Sequence, residues 1–333
     1  MRKPTRRDVG RGERVVPGVW RLRLPLPWPG VPHCNAWALA AGDGIVLVDT
    51  GMHEAGSLAH LERALDQVGL RLEHVRLIVL THAHVDHCGE APAIAGRAGC
   101  EVWLHPNHEH YTRSLEDPEQ SLLRRAEVAR QSGVPEADLR RWLERRRTAG
   151  TGQAGMLRSD RDLVPGVTVS TDLGEWSVIE TPGHAPSHVC LYQAERRLLI
   201  SGDHLLGRIS LYFDVGWTPD PVGEFLQSLE RVEGLDTRLA LAGHGRPFND
   251  VVAHVEGNRA LVATRLDTVR GLLAEAPSTA WDLGARLYGE LFVPATSTWL
   301  LSKSLAWLTH LDRLGEVERD GSGDAELWTL RTT

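Results

Sequence analysis

Residues 81–87 read Thr-His-Ala-His-Val-Asp-His, so His82, His84, Asp86 and His87 place three imidazoles and a carboxylate within six positions. Imidazole nitrogen and carboxylate oxygen are donors suited to zinc and other borderline divalent ions. Three later segments set one further donor between turn formers: Thr181-Pro182-Gly183-His184, Ser201-Gly202-Asp203 and Ala242-Gly243-His244-Gly245. Gly and Pro turns expose a side chain where the backbone leaves a regular element. Each segment alone is an ordinary turn. Together with the first cluster they offer seven donors to one cleft.

The elements around these residues set how the donors meet. Val75 to Leu80 is apolar apart from Arg76, close to the pattern of a strand covered on both faces, and it leads directly into the cluster. The cluster therefore sits at a strand's carboxyl end. Strands are also predicted at Val19 to Leu24, Asn35 to Ala40 and Gly44 to Asp49, with a Pro-rich bend (Pro25, Pro27, Pro29, Pro32) between the first two. Glu54 to Val68 carries Leu58, Leu61, Leu65 and Val68 at helical spacing. After a short strand at Glu101 to Leu104, residues 107–162 become dense in Arg and Glu. This segment reads as a helical insertion with helices at Ser121 to Gln131 and Ala137 to Arg146. Strands resume at Val167 to Val169, Glu175 to Glu180, His188 to Gln193, Arg197 to Ile200 and Arg238 to Ala242, with a helix from Val222 to Val232.

The ordered set H-x-H-x-D-H, G-H, G-D, G-H resembles the metallo-β-lactamase superfamily, and Val48-Asp49-Thr50-Gly51 matches the first motif of that family. The match spans roughly residues 19 to 250. The resemblance implies an α/β fold, a four-layer αββα sandwich, with two divalent metal ions at one edge, foremost Zn2+, with Fe or Mn as alternatives. By motif position His82, His84 and His184 would hold the first ion, Asp86, His87 and His244 the second, and Asp203 would bridge them. Asp49 would hydrogen-bond to these ligands and orient them. Ions held about 3.5 to 4 Å apart would acidify a bridging water to hydroxide and polarise the substrate oxygen. Asp86 would accept or position the proton, as the catalytic carboxylate.

Neighbouring residues receive plainer readings. Cys88 is expected to pack, and His188 to brace the loop by a hydrogen bond. His204 would point away if the strand continues. His105, His108 and His110 are expected on the surface or on a lid. Arg208 and Tyr212, just after the bridging carboxylate, are candidates for touching substrate.

Bulk properties narrow the partners. The formal charge of −7 leaves no general affinity for nucleic acid, which needs clustered Lys and Arg. Residues 1–18 are expected to be a flexible arm, and its basic cluster (Arg2, Lys3, Arg6, Arg7, Arg11, Arg14) a solvated terminus. No apolar stretch approaches the ~20 residues that span a bilayer and no secretory signal follows the basic cluster, so no membrane partner and a cytoplasmic location are expected. Cys34, Cys88, Cys100 and Cys190 form no C-x-x-C pair, which suits reduced thiols.

From about Val251 the pattern changes to helices at 251–276, 280–288 and 296–314, then strands flanking Asp320-Gly321-Ser322-Gly323-Asp324. This suggests a small winged-helix-like α+β domain over 251–333. It is similar to the C-terminal extension of the lactamase-β-2-like branch of the superfamily, whose catalytic domains are of the glyoxalase II type. That branch holds a ribonuclease and acyl-carrier thioesterases. Residues 255–333 carry eight Lys or Arg against eleven Asp or Glu, so packing or homodimerisation is expected of this region rather than nucleic-acid binding. The expected activity is hydrolysis of an ester, thioester or lactone of a small-molecule acyl substrate, with the 107–162 insertion as a lid. The alternatives are a phosphodiesterase or ribonuclease and a mononuclear-iron sulfur dioxygenase. The flavodiiron branch would need Glu at position 84, which is His here.

Overall fold

The computed structural model describes residues 9–28 and 30–331. Seven strands form the first sheet in sequence order: β1 (Arg11–Val16), β2 (Val19–Trp28), β3 (Val31–Ala41), β4 (Gly44–Val48), β5 (Val75–Val79), β6 (Glu101–Leu104) and β7 (Arg161–Asp162). The first four are antiparallel, and β4 to β7 run parallel. The second sheet is β8 (Thr168–Thr171), β9 (Gly174–Glu180), β10 (Val189–Gln193), β11 (Leu198–Gly202) and β12 (Leu239–Ala242), antiparallel except for the β11–β12 pair. The two sheets face each other across Trp37, Val46, Val48 and Val79 on one side and Trp176, Val178, Leu191 and Ile200 on the other, all buried.

Helices cover both outer faces. α1 (Ser57–Asp66), the one-turn α2 (Val85–Cys88) and α3 (Ala91–Ala98) lie on the first sheet, where Leu61, Leu65 and Ile94 meet Leu47 and Ile78. The insertion contributes α4 (Glu109–Glu116), α5 (Pro118–Gln131) and α6 (Glu136–Thr148). Over the second sheet lie α7 (Pro221–Glu233), α8 (Val251–Glu275), α9 (Ala280–Tyr288) and α10 (Ser297–Arg313), followed by the hairpin β13 (Val317–Asp320) and β14 (Leu327–Leu330). The order helix, sheet, sheet, helix is the αββα sandwich expected from the motifs. No described helix is long and apolar enough to cross a membrane.

Three expectations need correction. Residues 11–16 form a strand and not a flexible arm, because Arg11–Val16 pairs with β2 from Arg11↔Arg23 to Val16↔Val19. Arg11 and Arg14 are thus strand residues, while Arg2, Lys3, Arg6 and Arg7 lie outside the described residues. The Pro-rich bend is shorter than expected: β2 runs through Pro25 and Pro27 to Trp28 and is paired with β3, with Pro25 opposite His33. Pairing with β1 ends at Arg23, so these prolines sit where a missing N–H breaks no second ladder. Pro29 lies outside the described residues. The insertion holds three helices rather than two, α4 being the addition, and closes with β7 against β6.

The change of pattern at Val251 is not a break in the core. A single apolar cluster runs from Leu199 and Ala240 of the second sheet through Phe225 and Leu229 to Leu266, Trp307, Leu311 and Val317. The insertion joins the same assembly. Ser132 accepts a hydrogen bond from the Trp281 amide at 2.9 Å, Gln131 accepts one from Glu326 at 2.7 Å, and Val134 packs against the cluster.

Candidate metal centre

The seven expected donors come together where chain segments leave the carboxyl ends of β5, β9, β11 and β12. His82 and His84 follow β5, Asp86 and His87 lie on α2, and His184, Asp203 and His244 stand on the three later turns. Local backbone makes this arrangement possible. Gly183 has φ +126, and a side chain there would meet the Phe225 backbone at 2.6 Å. A Cβ on Gly243 would lie 2.1 Å from Asp203 Oδ1 and 2.8 Å from His87 Cε1, so the turn after β12 can approach the cluster only as glycine.

The donors fall into two sets. His84 Nδ1 is 3.0 Å from His82 Nε2 and 2.9 Å from His184 Nε2. Asp86 Oδ2 is 3.2 Å from His244 Nε2 and 3.5 Å from His87 Nε2. Asp203 reaches both sets: Oδ2 is 3.7 Å from His184 Nε2 and 3.2 Å from His244 Nε2, and Oδ1 is 3.5 Å from His87 Nε2.

The outward ring nitrogen of each histidine faces an acceptor. His82 Nδ1 faces Thr81 Oγ1 at 3.0 Å, His84 Nε2 faces Asp214 at 2.8 Å, and His87 Nδ1 faces Asp49 at 2.8 Å. His184 Nδ1 donates to the Tyr212 carbonyl at 3.1 Å and His244 Nδ1 to the His33 carbonyl at 2.9 Å. With protons on the outer nitrogens, the inner lone pairs of His82, His84 and His184 point at one another within about a hydrogen-bond length. Such convergence is repulsive unless a cation lies between. His87 Nε2 and Asp203 Oδ1 are moreover buried without a hydrogen-bond partner. The residues present therefore fit divalent ions in both sets.

Charge tells the same story. Burial pushes His82 well below the ordinary imidazole range, helped by the neighbouring histidines, and pushes His184 down to about 4. In the second set burial is outweighed by carboxylates: Asp86, Asp203 and Asp49 hold His87 well above its usual value, and Asp203 and Asp86 raise His244 to about 10. A buried group of three carboxylates calls for positive charge, which either protons or a metal supplies.

Asp49 is where the motif implies. In a left-handed conformation (φ +62), it accepts the Thr81 amide at 2.8 Å, the Thr81 hydroxyl at 2.9 Å and His87 Nδ1. His188 is a brace, its Nδ1 2.8 Å from Thr181 Oγ1 and its Nε2 accepting the Asp203 amide at 3.1 Å. Cys88 is buried with its thiol on the His84 carbonyl, and burial pushes its pKa well up, as expected for packing. His204 is buried edge-on to Phe225. Tyr212 lies beside the first set, its ring 5.8 Å from that of His84 and 5.7 Å from that of His184. Arg208 is exposed, and no contact among the described residues ties it to the cluster.

Two of the histidines expected on the surface or on a lid are buried. His105 pairs with Glu180 at 3.0 Å, and His110 packs against the first set. Sequence reasoning also passed over Asp214, Asn35 and Arg21. Asn35 donates to the carbonyls of Ala242 at 2.8 Å and Gly245 at 3.0 Å, and Arg21 to that of Gly245 at 2.8 Å, so the first sheet pins the His244 turn. No local signal marks these residues, because their partners lie far away in the chain, 130 positions for Asp214 and His84 and more than 200 for Arg21 and Asn35.

Known proteins match this arrangement. The probable metallo-hydrolase YqjP of Bacillus subtilis (strain 168) is 28% identical over 292 residues, 83% of this chain and 88% of that protein. The crystal structure of a metallo-β-lactamase family protein from Thermus thermophilus superposes with a TM-score of 0.82 at 28% identity, over 96% of this chain and 100% of that one. A β-lactamase domain protein from Burkholderia ambifaria gives 0.78 at 29% identity, over 98% and 95% of the two chains. The model of the metallo-β-lactamase superfamily matches residues 29–244, a span that contains all seven donors. The fold, the donor clusters and these matches make the chain a metallo-hydrolase belonging to the metallo-β-lactamase superfamily.

Proposed function

We propose that the chain is a dinuclear hydrolase that cleaves an ester, thioester or lactone in a small acyl substrate. The reading rests on one observation: two sets of three donors, with Asp203 in reach of both. His82, His84 and His184 would hold one ion and Asp86, His87 and His244 the other. Five imidazoles with two carboxylates suit zinc first, and iron or manganese next. Divalent ions there would acidify a water and polarise the carbonyl under attack.

The protein's own groups prepare that step. The outer hydrogen bonds fix the orientation of all five rings, so binding would require the inner protons of His87 and His244 to leave but no rotation of the rings. Asp86 would accept or position the proton of the attacking water. Tyr212, beside the first set, and Trp217, 6.2 Å from His110 and 38% exposed, offer aromatic surface to the apolar part of an acyl group. The insertion touches the site's edge, where Gly152 accepts the His53 amide at 3.0 Å and Ala154 donates to the Gly89 carbonyl at 2.9 Å. It would thereby form one wall of the substrate cleft.

The test is a panel of p-nitrophenyl esters, thioesters, lactones and bis-p-nitrophenyl phosphate on zinc-loaded protein. Turnover of an acyl substrate is expected. Activity on the phosphodiester alone would replace this reading with a nuclease.

A further inference from the structure

Asp214 lies in the loop after β11, outside the seven donors, and among the described residues it is the carboxylate that touches the first set from behind. Its Oδ2 accepts His84 Nε2 at 2.8 Å and His110 Nδ1 at 3.1 Å. Its amide donates to the His184 carbonyl at 3.1 Å. One residue thus fixes the ring of one histidine and the backbone of another in the same set.

His110 belongs to α4 of the insertion and is 6% exposed. With Nδ1 donating to Asp214, its Nε2 is an acceptor and receives the Ser187 hydroxyl at 2.9 Å. Ser187 Oγ in turn accepts the Ala83 amide, between His82 and His84, at 3.0 Å. The chain of bonds leaves the cluster at His84 and returns to it at Ala83, with every donor matched to an acceptor. A third segment holds the loop of Asp214: Ser302 on α10 donates its hydroxyl to the Phe213 carbonyl at 2.8 Å.

We propose that Asp214 is the positioning residue for His84 and that His110 holds Asp214 in place, which makes α4 a fixed part of the metal centre rather than a lid that swings clear of it. The proposal rests on His84 being a metal ligand. A carboxylate behind a ligating imidazole fixes its tautomer and raises its basicity, and losing it costs about 10- to 100-fold in metal affinity. An insertion joined to the site by a satisfied buried network cannot leave without breaking the His110 bonds to Asp214 and Ser187.

The experiment titrates metal-free protein with zinc against a chelating indicator, and with cobalt followed by its visible spectrum, in wild type, Asp214→Asn and His110→Gln. Only folded protein is used, as judged by gel filtration and circular dichroism. Wild type is expected to take up two ions. Asp214→Asn should weaken one of them by about 10- to 100-fold and alter the cobalt bands, and His110→Gln should do the same to a smaller degree. Wild-type affinity and an unchanged cobalt spectrum in Asp214→Asn overturn the positioning role and leave the dinuclear reading intact. A wild type that binds no ion overturns both.

Discussion

At the scale of single residues, the cluster behaves as a preorganised set of donors whose directions are fixed from outside. Asp86→Asn is expected to lower turnover about 10²- to 10⁴-fold, the usual worth of a positioned proton acceptor. Steady-state kinetics on the best acyl substrate checks this, and full activity with both ions bound would remove Asp86 from the chemistry. Gly243→Ala should cost at least tenfold in metal affinity while the chain still folds, because its Cβ lands on Asp203 and His87. Isothermal titration reads that loss. The seven donors were legible because each stands at a local signal, an apolar strand running into His82 or a glycine beside His184, Asp203 and His244. Asp214 and His110 carried no such signal. Asp214 sits in Tyr212-Phe213-Asp214-Val215 without a turn former, and His110 sits in a polar run that reads as a solvated helix.

Burial also sets a pH response in the metal-free chain. His204 is pushed down to about 3 by burial first and by His184 second. An unfolded histidine titrates near pH 6.5, so below that value the unfolded chain takes up a proton that the folded chain refuses. Stability therefore falls as pH drops from about 6.5 towards 3, by about 1.4 kcal/mol per unit for this group. Denaturant unfolding between pH 6.5 and 4.5 should show a shallower acid limb in His204→Phe than in wild type. Equal slopes would mean that His204 does not contribute.

At the scale of elements, the parallel strands were readable because continuous apolar runs such as Ile45 to Val48 are buried on both faces. Edges were harder to read. β1 has a mixed exposed and half-buried pattern, so its sequence resembles a solvated arm until its pairing with β2 is known. The helices over the second sheet act as its outer layer, with Trp307 on α10 1% exposed, edge-on to Phe213 at 5.3 Å, and donating to the Tyr288 hydroxyl at 3.0 Å. Trp307→Ala should destabilise the fold by about 3 to 5 kcal/mol. Metal stoichiometry at low temperature should be unchanged. A melting temperature near wild type would show that the C-terminal helices are not part of the main core.

At the scale of the whole molecule, the sandwich brings four loop regions to one edge, and the C-terminal helices and the insertion close around that edge. His310 on α10 bonds Asp220, the cap of α7, at 2.9 Å, and Ser302 bonds the Phe213 carbonyl at 2.8 Å, so the loop carrying Tyr212 and Asp214 is held from the C-terminal side. The convergence of the seven donors was predictable from motif order. The support behind them was not, since it joins the insertion, the core and the C-terminal helices through contacts that no local pattern encodes. The central claim is that this edge holds two divalent ions. Equilibrium dialysis of the full chain against zinc at neutral pH, followed by elemental analysis, tests it most directly: two ions per chain are predicted, and one or none would contradict it.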